Sequence, residues 1–375
     1  MLKLLFTGDI SLYNIDYQNF EFSDTFKKLI SCCSLVIGNL ECPITDSTLK
    51  EENQAVNMSA SASSMKLLKP FQIVSLANNH IRDYKSQGIK DTINALEREG
   101  IRYFGAGKTQ NEALEPIEIV IKGFKLALLG ATRYSNATSK NGGGTARDKI
   151  TILSRKIRRL KKEGYFVVPY FHWGYEYIRI PSPRDRKIAH RCIDAGADLI
   201  IGSHPHIYQV IEEYKGKTIV YSLGNFIFHS SVFKELSPIE KDPRLNESFV
   251  FTVEVKEDHS YESSIYGFHT NDFGIQFYND TKNKKLISEI NEVSAILKGT
   301  RLAYLKAYYK LTYDISKQNI RVRKNFQNFQ KLDLNNKIKV YRTANLQDLK
   351  NRMWGYFLSI KNIMIIWRKK RFLKL

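Results

Sequence analysis

The chain has little of what marks disulfide-stapled, exported or membrane-spanning proteins. Its 375 residues include four cysteines, Cys32, Cys33, Cys42 and Cys192, and none of them shows Cys-x-x-Cys spacing. Neither a disulfide framework nor a zinc knuckle is therefore evident, and we interpret the cysteines as reduced thiols. No window holds ~18 uninterrupted apolar residues, so no membrane-spanning helix is predicted. Because the first residues show no export signal, we expect a cytoplasmic protein.

Positive charge is concentrated at the C-terminal end of the chain. The formal net charge is +20, yet residues 1–280 hold 35 basic and 33 acidic side chains. Residues 281–375 hold 23 basic and five acidic side chains, a net charge of +18. This change predicts a boundary between a domain of residues 1–280 and a basic, mainly helical C-terminal extension of residues 281–375.

The last part of the extension, residues 354–375, combines apolar side chains with the run Arg368-Lys369-Lys370-Arg371. A basic apolar helix of this type can lie on an anionic membrane, which would make the protein peripheral on the cytoplasmic membrane face. The alternative is a helical cap that packs on the domain with a basic outer face. Nucleic-acid binding is disfavoured, because no nucleic-acid motif accompanies the charge.

Apolar runs alternate with helical patterns along the first 280 residues. Strand-like runs include 2–7, 35–41, 72–77, 124–130, 166–172, 199–201, 218–223 and 249–255, and helical patterns include 24–32, 87–100, 155–163 and 184–195. This order is typical of βαβ units and predicts an α/β fold. Polar residues repeatedly follow the strands. We therefore expect them along one rim of the sheets, where open α/β sheets bind ligands.

The residues at the predicted strand ends are carboxylates, amides and imidazoles. They are Asp9, Asn39, Glu41, Asn79, His80, His172, His204 and His206. This donor set contains no thiolate and suits Mn, Fe or Zn. A carboxylate can bridge two such ions ~3.5–4 Å apart, and a water that they hold becomes a nucleophile near neutral pH. The sequence therefore predicts a metal-dependent enzyme.

Seven short segments between residues 2 and 255 form a specific combination. They are Thr7-Gly8-Asp9, Gly38-Asn39-Leu40-Glu41, Ala77-Asn78-Asn79-His80, His172-Trp173-Gly174-Tyr175-Glu176-Tyr177, Ala195-Gly196-Ala197-Asp198, Gly202-Ser203-His204-Pro205-His206 and Tyr221-Ser222-Leu223-Gly224-Asn225-Phe226. Together they resemble the CapA family of poly-γ-glutamate capsule biosynthesis proteins, which is related to the calcineurin-like metallophosphoesterases. The resemblance implies a metallophosphoesterase-like two-sheet sandwich flanked by helices, with divalent metal ions, expected to be two, at the strand ends.

The resemblance also implies a role for each strand-end residue. The metal-ligand positions are Asp9, Glu41, Asn79, His172, His204 and His206. Among these, Glu41 stands where the bridging carboxylate sits. His80 resembles the histidine that contacts the substrate and protonates the leaving group.

Three further residues are assigned more loosely. Asn39 and Asn225 are expected at the rim or against the substrate. Glu176 is grouped with His80 as a catalytic residue. For Glu176 three readings stay open: a solvated loop charge, a partner that orients an imidazole, and a substrate contact.

Three departures from the phosphoesterase pattern affect the expected number of metal ions. Ser11 occupies the second ligand position of the usual Asp-x-His motif, and Ile81 follows His80 where an acid is usual, with Asp83 further on. Glu41 also replaces the usual aspartate. These changes fit the capsule family, and one tight and one weak metal site is an alternative to a full pair.

We expect a metal-dependent hydrolase that takes part in capsule or cell-surface polymer biosynthesis. A phosphoester, an amide of poly-γ-glutamate and a glycan-linked substrate all remain open, since fold does not settle chemistry. One alternative is a non-catalytic polymer-binding or scaffold component of a membrane-associated capsule synthesis complex. Another is a phosphodiesterase without a capsule role. The expected partners are an anionic polymer or cell-surface glycan precursor and the capsule synthesis machinery.

Overall fold

The computed structural model describes residues 1–52, 56–134, 144–229 and 243–318, with side chains described up to residue 312. The strands within these ranges are β1 (Leu2–Ile10), β2 (Glu21–Phe22), β3 (Leu35–Leu40), β4 (Ile73–Ser75), β5 (Arg102–Phe104), β6 (Ala106–Gly107), β7 (Ile117–Ile121), β8 (Phe124–Thr132), β9 (Gly144–Thr145), β10 (Phe166–His172), β11 (Leu199–Ser203), β12 (Ile211–Tyr214), β13 (Lys217–Val220), β14 (Asn225–Ile227), β15 (Glu247–Val255), β16 (Tyr261–Asn271) and β17 (Gly274–Phe277). The helices are α1 (Asp24–Ser31), α2 (Lys85–Arg98), α3 (Gln110–Leu114), α4 (Ile150–Lys162), α5 (Pro183–Asp194), α6 (Asp280–Lys298) and α7 (Arg301–Gln318), with 3-10 turns at Ala62–Leu68 and Pro243–Asn246.

The first sheet has the strand order β2-β17-β16-β15-β1-β3-β4-β5, and β14 also pairs with β1. Strands β1, β3, β4 and β5 are parallel to one another. Strands β15, β16 and β17 continue the sheet in antiparallel pairing from β1. Because β1 lies in the middle with both faces covered, it is buried along nearly its whole length.

The second sheet has the order β12-β13-β11-β10-β8-β7. Its four inner strands are parallel, and both edge strands are antiparallel to their neighbours. The parallel strands of each sheet end at a common edge. Polar residues that follow those strands are therefore brought together.

Alternate residues of the central strands face different cores. Phe6 and Tyr170 lie in the apolar core between the two sheets. Leu5 faces the core under α1 and α2, and Phe171 faces the core under α4 and α5. The hydroxyl of Tyr170 also donates to the carbonyl of Thr7 at 2.6 Å, which links the sheets. The expected α/β two-sheet sandwich flanked by helices is thus confirmed.

The antiparallel half of the first sheet differs from the expected series of βαβ units. Strand β16 has no counterpart in the sequence prediction, because much of it is exposed and it begins with polar residues such as Glu262, Ser263 and Ser264. A strand with one solvated face at the sheet's outer part has no continuous apolar run to reveal it. The helices agree more closely. For example, the predicted helix 87–100 is α2, Lys85–Arg98.

The first part of the basic extension packs on the sandwich. Leu286 and Ile290 of α6 join the core between the sheets, and Leu297 joins the core under α5. The hydroxyl of Tyr304 in α7 donates to the carbonyl of Pro181 at 2.8 Å. The described part of the extension is therefore a helical cap. The segment predicted to lie on a membrane, residues 354–375, is outside the described residues, and no described helix is long and apolar enough to cross a membrane.

Candidate metal centre

The strand-end residues converge on one edge of the two facing sheets. Asp9 lies near the end of β1, Glu41 directly follows β3, and His172 ends β10. His204 and His206 follow β11 on either side of Pro205. All five side chains are buried. Chain segments that are far apart in sequence therefore contribute to one cluster of potential metal ligands.

Two overlapping groups of three residues have the spacing of metal ligands. Glu41, His172 and His204 form one group, and Asp9, Glu41 and His206 form the other. Within each group the ligand atoms all lie within 4.8 Å of one another. Glu41 belongs to both groups, as a carboxylate that bridges two ions must. The arrangement therefore fits two neighbouring cation positions.

The carboxylate of Glu41 is buried without a hydrogen-bond donor. Neither of its oxygens accepts a hydrogen bond from any described residue, although His172 Nε2 lies 3.3 Å from Oε1. Burial raises the pKa of Glu41. A buried, unsatisfied carboxylate is costly unless a cation compensates it. This side chain is the observation that best fits a bound metal ion.

Asp9 is the second buried acid of the cluster. Its carboxylate accepts hydrogen bonds from Asn39 Nδ2 at 2.8 Å and from the backbone N–H of His204 at 3.0 Å. Burial, together with the charge of Glu41, raises its pKa to about 6. Gly8 allows β1 to reach this position, because a Cβ there would lie 1.8 Å from the carbonyl oxygen of Gly224.

The imidazole of His172 lies at the centre of the cluster. Its Nε2 is 2.6 Å from Asn79 Oδ1 and 3.0 Å from His204 Nδ1, and its Nδ1 is 3.1 Å from Ser203 Oγ. Burial lowers the pKa of His172 to about 3 and also lowers that of His204. Both rings are therefore neutral near pH 7, which is the form that ligates metals.

The two histidines after β11 are held in unfavourable backbone conformations. His204 has φ +98° and His206 has φ +58°, which a side chain with a Cβ rarely adopts. Strain of this kind persists where surrounding contacts enforce it, commonly at functional sites. Asn225 supplies one such contact, since its Oδ1 is 3.0 Å from His206 Nδ1 and its amide donates to the carbonyl of Leu245 at 3.1 Å. The predicted rim residue Asn225 therefore orients a histidine ring.

His80 lies beside the cluster and is paired with Asp83. The ring Nδ1 is 2.8 Å from Asp83 Oδ2, which also accepts the backbone N–H of Met58 at 2.8 Å. Burial opposes the charged imidazole, but Asp83 raises the pKa of His80 to about 9. The sequence prediction assigned no role to Asp83. The sequence feature that could have indicated Asp83 is its position three residues after His80.

Asn39 and Asn78 hold the cluster rather than face an open rim. Besides its bond to Asp9, Asn39 accepts a hydrogen bond from Asn78 Nδ2 at 3.3 Å. Asn78 also donates to the carbonyl of Leu40 and accepts the backbone N–H of His80. The sequence prediction overlooked Asn78, because an asparagine after a strand is also an ordinary turn residue.

Glu176 and Ser11 lie outside the two ligand groups. Glu176 is exposed, and its charge raises the pKa of both His80 and His206. The hydroxyl of Ser11 is buried and points to Met58 Sδ at 3.6 Å. The position that differs from the phosphoesterase pattern therefore supplies no ligand to either group.

A buried cluster with one acid shared by two ligand groups, at the strand ends of two facing sheets, defines this chain as an α/β protein with a candidate two-metal centre. The chain belongs to the family described as bacterial capsule synthesis protein PGA_cap, whose model matches residues 3–230. The predicted resemblance to the CapA family is thus confirmed.

Named relatives support this membership. The chain is 38% identical over 200 residues to the PGA biosynthesis protein CapA of Bacillus subtilis, covering 52% of this chain and 53% of that one. It is 35% identical over 231 residues to the capsule biosynthesis protein CapA of Bacillus anthracis, covering 58% and 55%. A probable polyglutamine synthesis accessory protein of Mycobacterium tuberculosis is 28% identical over 174 residues, covering 43% and 46%. The chain thus spans about half the length of the relatives it matches.

Solved structures with partial overlap include a putative 5'-nucleotidase from Staphylococcus aureus, with a TM-score of 0.45 and 13% identity over 77% of this chain and 58% of that one. A 5'-nucleotidase from Candida albicans overlaps with a TM-score of 0.41 and 11% identity over 84% and 58%. Neither overlap bears on the activity of this chain.

Proposed function

We propose that the protein is a metal-dependent hydrolase that acts on a cell-surface polymer, with poly-γ-glutamate as the first candidate. The shared and unsatisfied carboxylate of Glu41 carries this proposal, because it fits a site built for two cations. The names of the relatives, which refer to capsule and polyglutamate synthesis, support the polymer class.

The side chains divide the work between holding ions and moving a proton. Divalent ions bound by Glu41, Asp9, His172, His204 and His206 would supply Lewis acidity and an activated water. The low pKa of His172 keeps its ring neutral, the form that ligates a metal ion through its unprotonated nitrogen. Asn79 Oδ1 lies 2.6 Å from Nε2 of this ring, so the predicted amide ligand borders a predicted imidazole ligand.

His80 is the proton donor in this proposal. Its raised pKa, about 9, keeps the ring protonated at neutral pH, and Asp83 fixes its orientation. A protonated imidazole of this kind can give its proton to the leaving group, whether that group is an amine or an alcohol. The proposal therefore covers both an amide and a phosphoester bond, and the assay must offer both.

The second candidate is a polymer-binding component without catalysis. The observation in its favour is Ser11, whose side chain turns to Met58 and leaves one expected ligand position without a donor. A centre with fewer ligands can hold metal for structure or for binding alone.

One experiment separates the two candidates. The full chain is purified without chelator, its metal content is measured, and turnover of an aryl phosphodiester and of a γ-linked glutamate oligomer is assayed with Mn²⁺. His204→Ala and Asp9→Ala test the centre, and His190→Ala is the matched control because His190 lies outside both ligand groups. Metal and turnover lost together in the first two variants only would support the hydrolase. Metal without turnover of either substrate would favour the binding component, and a wild type that binds no added Mn²⁺ would contradict the proposal.

We further propose a cytoplasmic location at the membrane surface, based on the basic run 368–371. The full chain and a variant with Arg368→Gln, Lys369→Gln, Lys370→Gln and Arg371→Gln are compared by flotation with anionic and neutral liposomes. Flotation of the wild type with anionic liposomes only, reduced in the variant, is expected. Equal behaviour of the two proteins would contradict membrane docking.

A further inference from the structure

Arg133 lies directly after β8, on the same edge of the second sheet as His172. Its backbone N–H donates to the carbonyl of His172 at 3.3 Å. Its guanidinium lies over the ring of Tyr175, 4.8 Å from the centroid, and donates to the Tyr175 hydroxyl at 3.1 Å. The cation is therefore held in one orientation beside the candidate metal centre.

Ring contacts through Tyr134 connect Arg133 to the metal ligands. The guanidinium is 5.8 Å from the centroid of Tyr134, and the Tyr134 ring is 4.3 Å from the ring of His204. The Tyr134 hydroxyl donates to the carbonyl of Gly174, which fixes that ring in turn. One wall of the centre thus ends in a positioned positive charge.

Arg133 differs from several other arginines of the described residues in its lack of an ion-paired carboxylate. Arg159, Arg184 and Arg186 each form an ion pair with a carboxylate. Among the described residues, no carboxylate lies within ion-pair distance of Arg133. Asp185 acts on it electrostatically, but its carboxylate is engaged by the hydroxyl of Ser182. The half-buried guanidinium therefore keeps charge and donors available for an incoming anion.

We propose that Arg133 binds a carboxylate of the substrate next to the bond that is cleaved, an inference that rests on the proposed hydrolase function. The guanidinium presents planar donors that match the two oxygens of a carboxylate. In a γ-linked glutamate chain every amide bond is flanked by a free α-carboxylate. A single fixed cation beside the metal centre matches one such group. Tyr175 is a positioning residue in this arrangement.

The test measures binding separately from turnover. The full chain is titrated calorimetrically, in the presence of Mn²⁺, with a γ-linked glutamate pentamer and with the same pentamer carrying amides in place of its carboxylates. The variants are Arg133→Met, Arg133→Lys and Tyr175→Phe. The matched control is Arg158→Met, because Arg158 is exposed on α4.

The expected loss follows from one charge-assisted hydrogen bond. Arg133→Met should raise the Kd of the pentamer about 10-fold or more, and Arg158→Met should leave it unchanged. Arg133→Lys keeps the charge but loses the planar guanidinium, so its Kd for the pentamer should lie between these two values. This variant also provides the test if Arg133→Met does not fold. Tyr175→Phe should raise the Kd about 3-fold, through looser positioning. The amidated pentamer should bind wild type and Arg133→Met equally weakly.

Three outcomes would overturn the inference. The first is equal pentamer binding by wild type and both Arg133 variants. The second is that substitution of Arg133 weakens the binding of inorganic phosphate but not of the pentamer, which would assign the residue to a phosphoryl group. The third is aryl phosphodiester turnover by a wild type that binds no pentamer, which would leave the hydrolase proposal standing. Conversely, pentamer binding that depends on Arg133 without metal or turnover would overturn the hydrolase proposal alone.

Discussion

Two buried clusters of this molecule contain glutamate and histidine, and they differ in how the glutamate is satisfied. Glu212 accepts hydrogen bonds from Arg186 Nη2 and from the Tyr221 hydroxyl, each at 2.6 Å. His190 Nε2 lies 3.1 Å from Glu212 Oε2. Burial alone would raise the pKa of Glu212, but these partners lower it to about 2. Glu41 has no donor among the described residues, and burial raises its pKa.

The difference matches a structural role for the Glu212 cluster and the proposed metal-binding role of the Glu41 cluster. The Glu212 carboxylate has its donors within the chain, and its cluster helps to fasten the extension, since Arg186 also donates to the carbonyl of Leu297 at 2.8 Å and lies over Tyr304. The Glu41 carboxylate has no donor among the described residues, which fits the proposed cation. Buried acids that a fold leaves unsatisfied mark a site for a ligand, because native structures otherwise pair such groups.

The strongest test of this contrast is Glu41→Gln. We expect metal affinity to fall more than about 100-fold, because substitution of a residue that only orients a metal ligand can already lower affinity by that factor. Without metal, the variant should be at least as stable as wild type, since an unsatisfied buried charge is removed. Metal content and thermal unfolding with chelator measure both effects, with exposed Glu99→Gln as the control. A metal-free variant clearly less stable than metal-free wild type would contradict the contrast.

Glu212→Gln should give the opposite pattern. Loss of the charge leaves Arg186 half-buried without its ion pair, and we expect the free energy of unfolding to fall by about 3 kcal/mol. Metal content should not change, because Glu212 belongs to neither ligand group. Urea unfolding and metal analysis of the same sample provide the check. Loss of bound metal by the folded variant would show that the two clusters are not independent.

A smaller effect is expected for Asn225→Ala. The variant loses the contact that orients His206, and orienting partners of metal ligands contribute about 10-fold or more to affinity. We expect a roughly 10-fold weaker Mn²⁺ affinity with retained folding, measured by competition with a chelator dye. The exposed Asn94→Ala is the control. Unchanged affinity would mean that the strained backbone alone positions His206.

The contrast also predicts a difference in pH dependence. In chelator-treated protein, the raised pKa of Asp9 makes the folded state bind its proton more tightly, so stability should decline as pH rises from 3.8 to about 6. The lowered pKa of Glu212 stabilises the fold above pH 4.5, and this contribution should decline as pH falls from 4.5 towards about 2. Asp9→Asn should remove the first decline, and Glu212→Gln the second. Urea unfolding across this pH range would show identical profiles for all three proteins if the contrast were wrong.

Most of the parallel strands and the identity of the clustered residues could be predicted from the sequence. Apolar runs such as 166–172 and the polar residues that follow them are local features, and strand ends of a parallel sheet meet at one edge. The antiparallel strand β16 could not be predicted in this way. Its exposed residues remove the apolar signal, and its pairing with β15 and β17 is what makes it a strand.

Which donors this protein carries and roughly where its strands end can be read from short stretches of chain, because both are local properties. How the donors are shared depends on the tertiary fold. The backbone of His204 reaches Asp9 across 195 positions of sequence, and that contact depends on how the two sheets face each other. The Glu41 carboxylate without a donor and the Arg133 guanidinium without an ion-paired carboxylate, both judged among the described residues, are likewise properties of their surroundings, which no local pattern encodes.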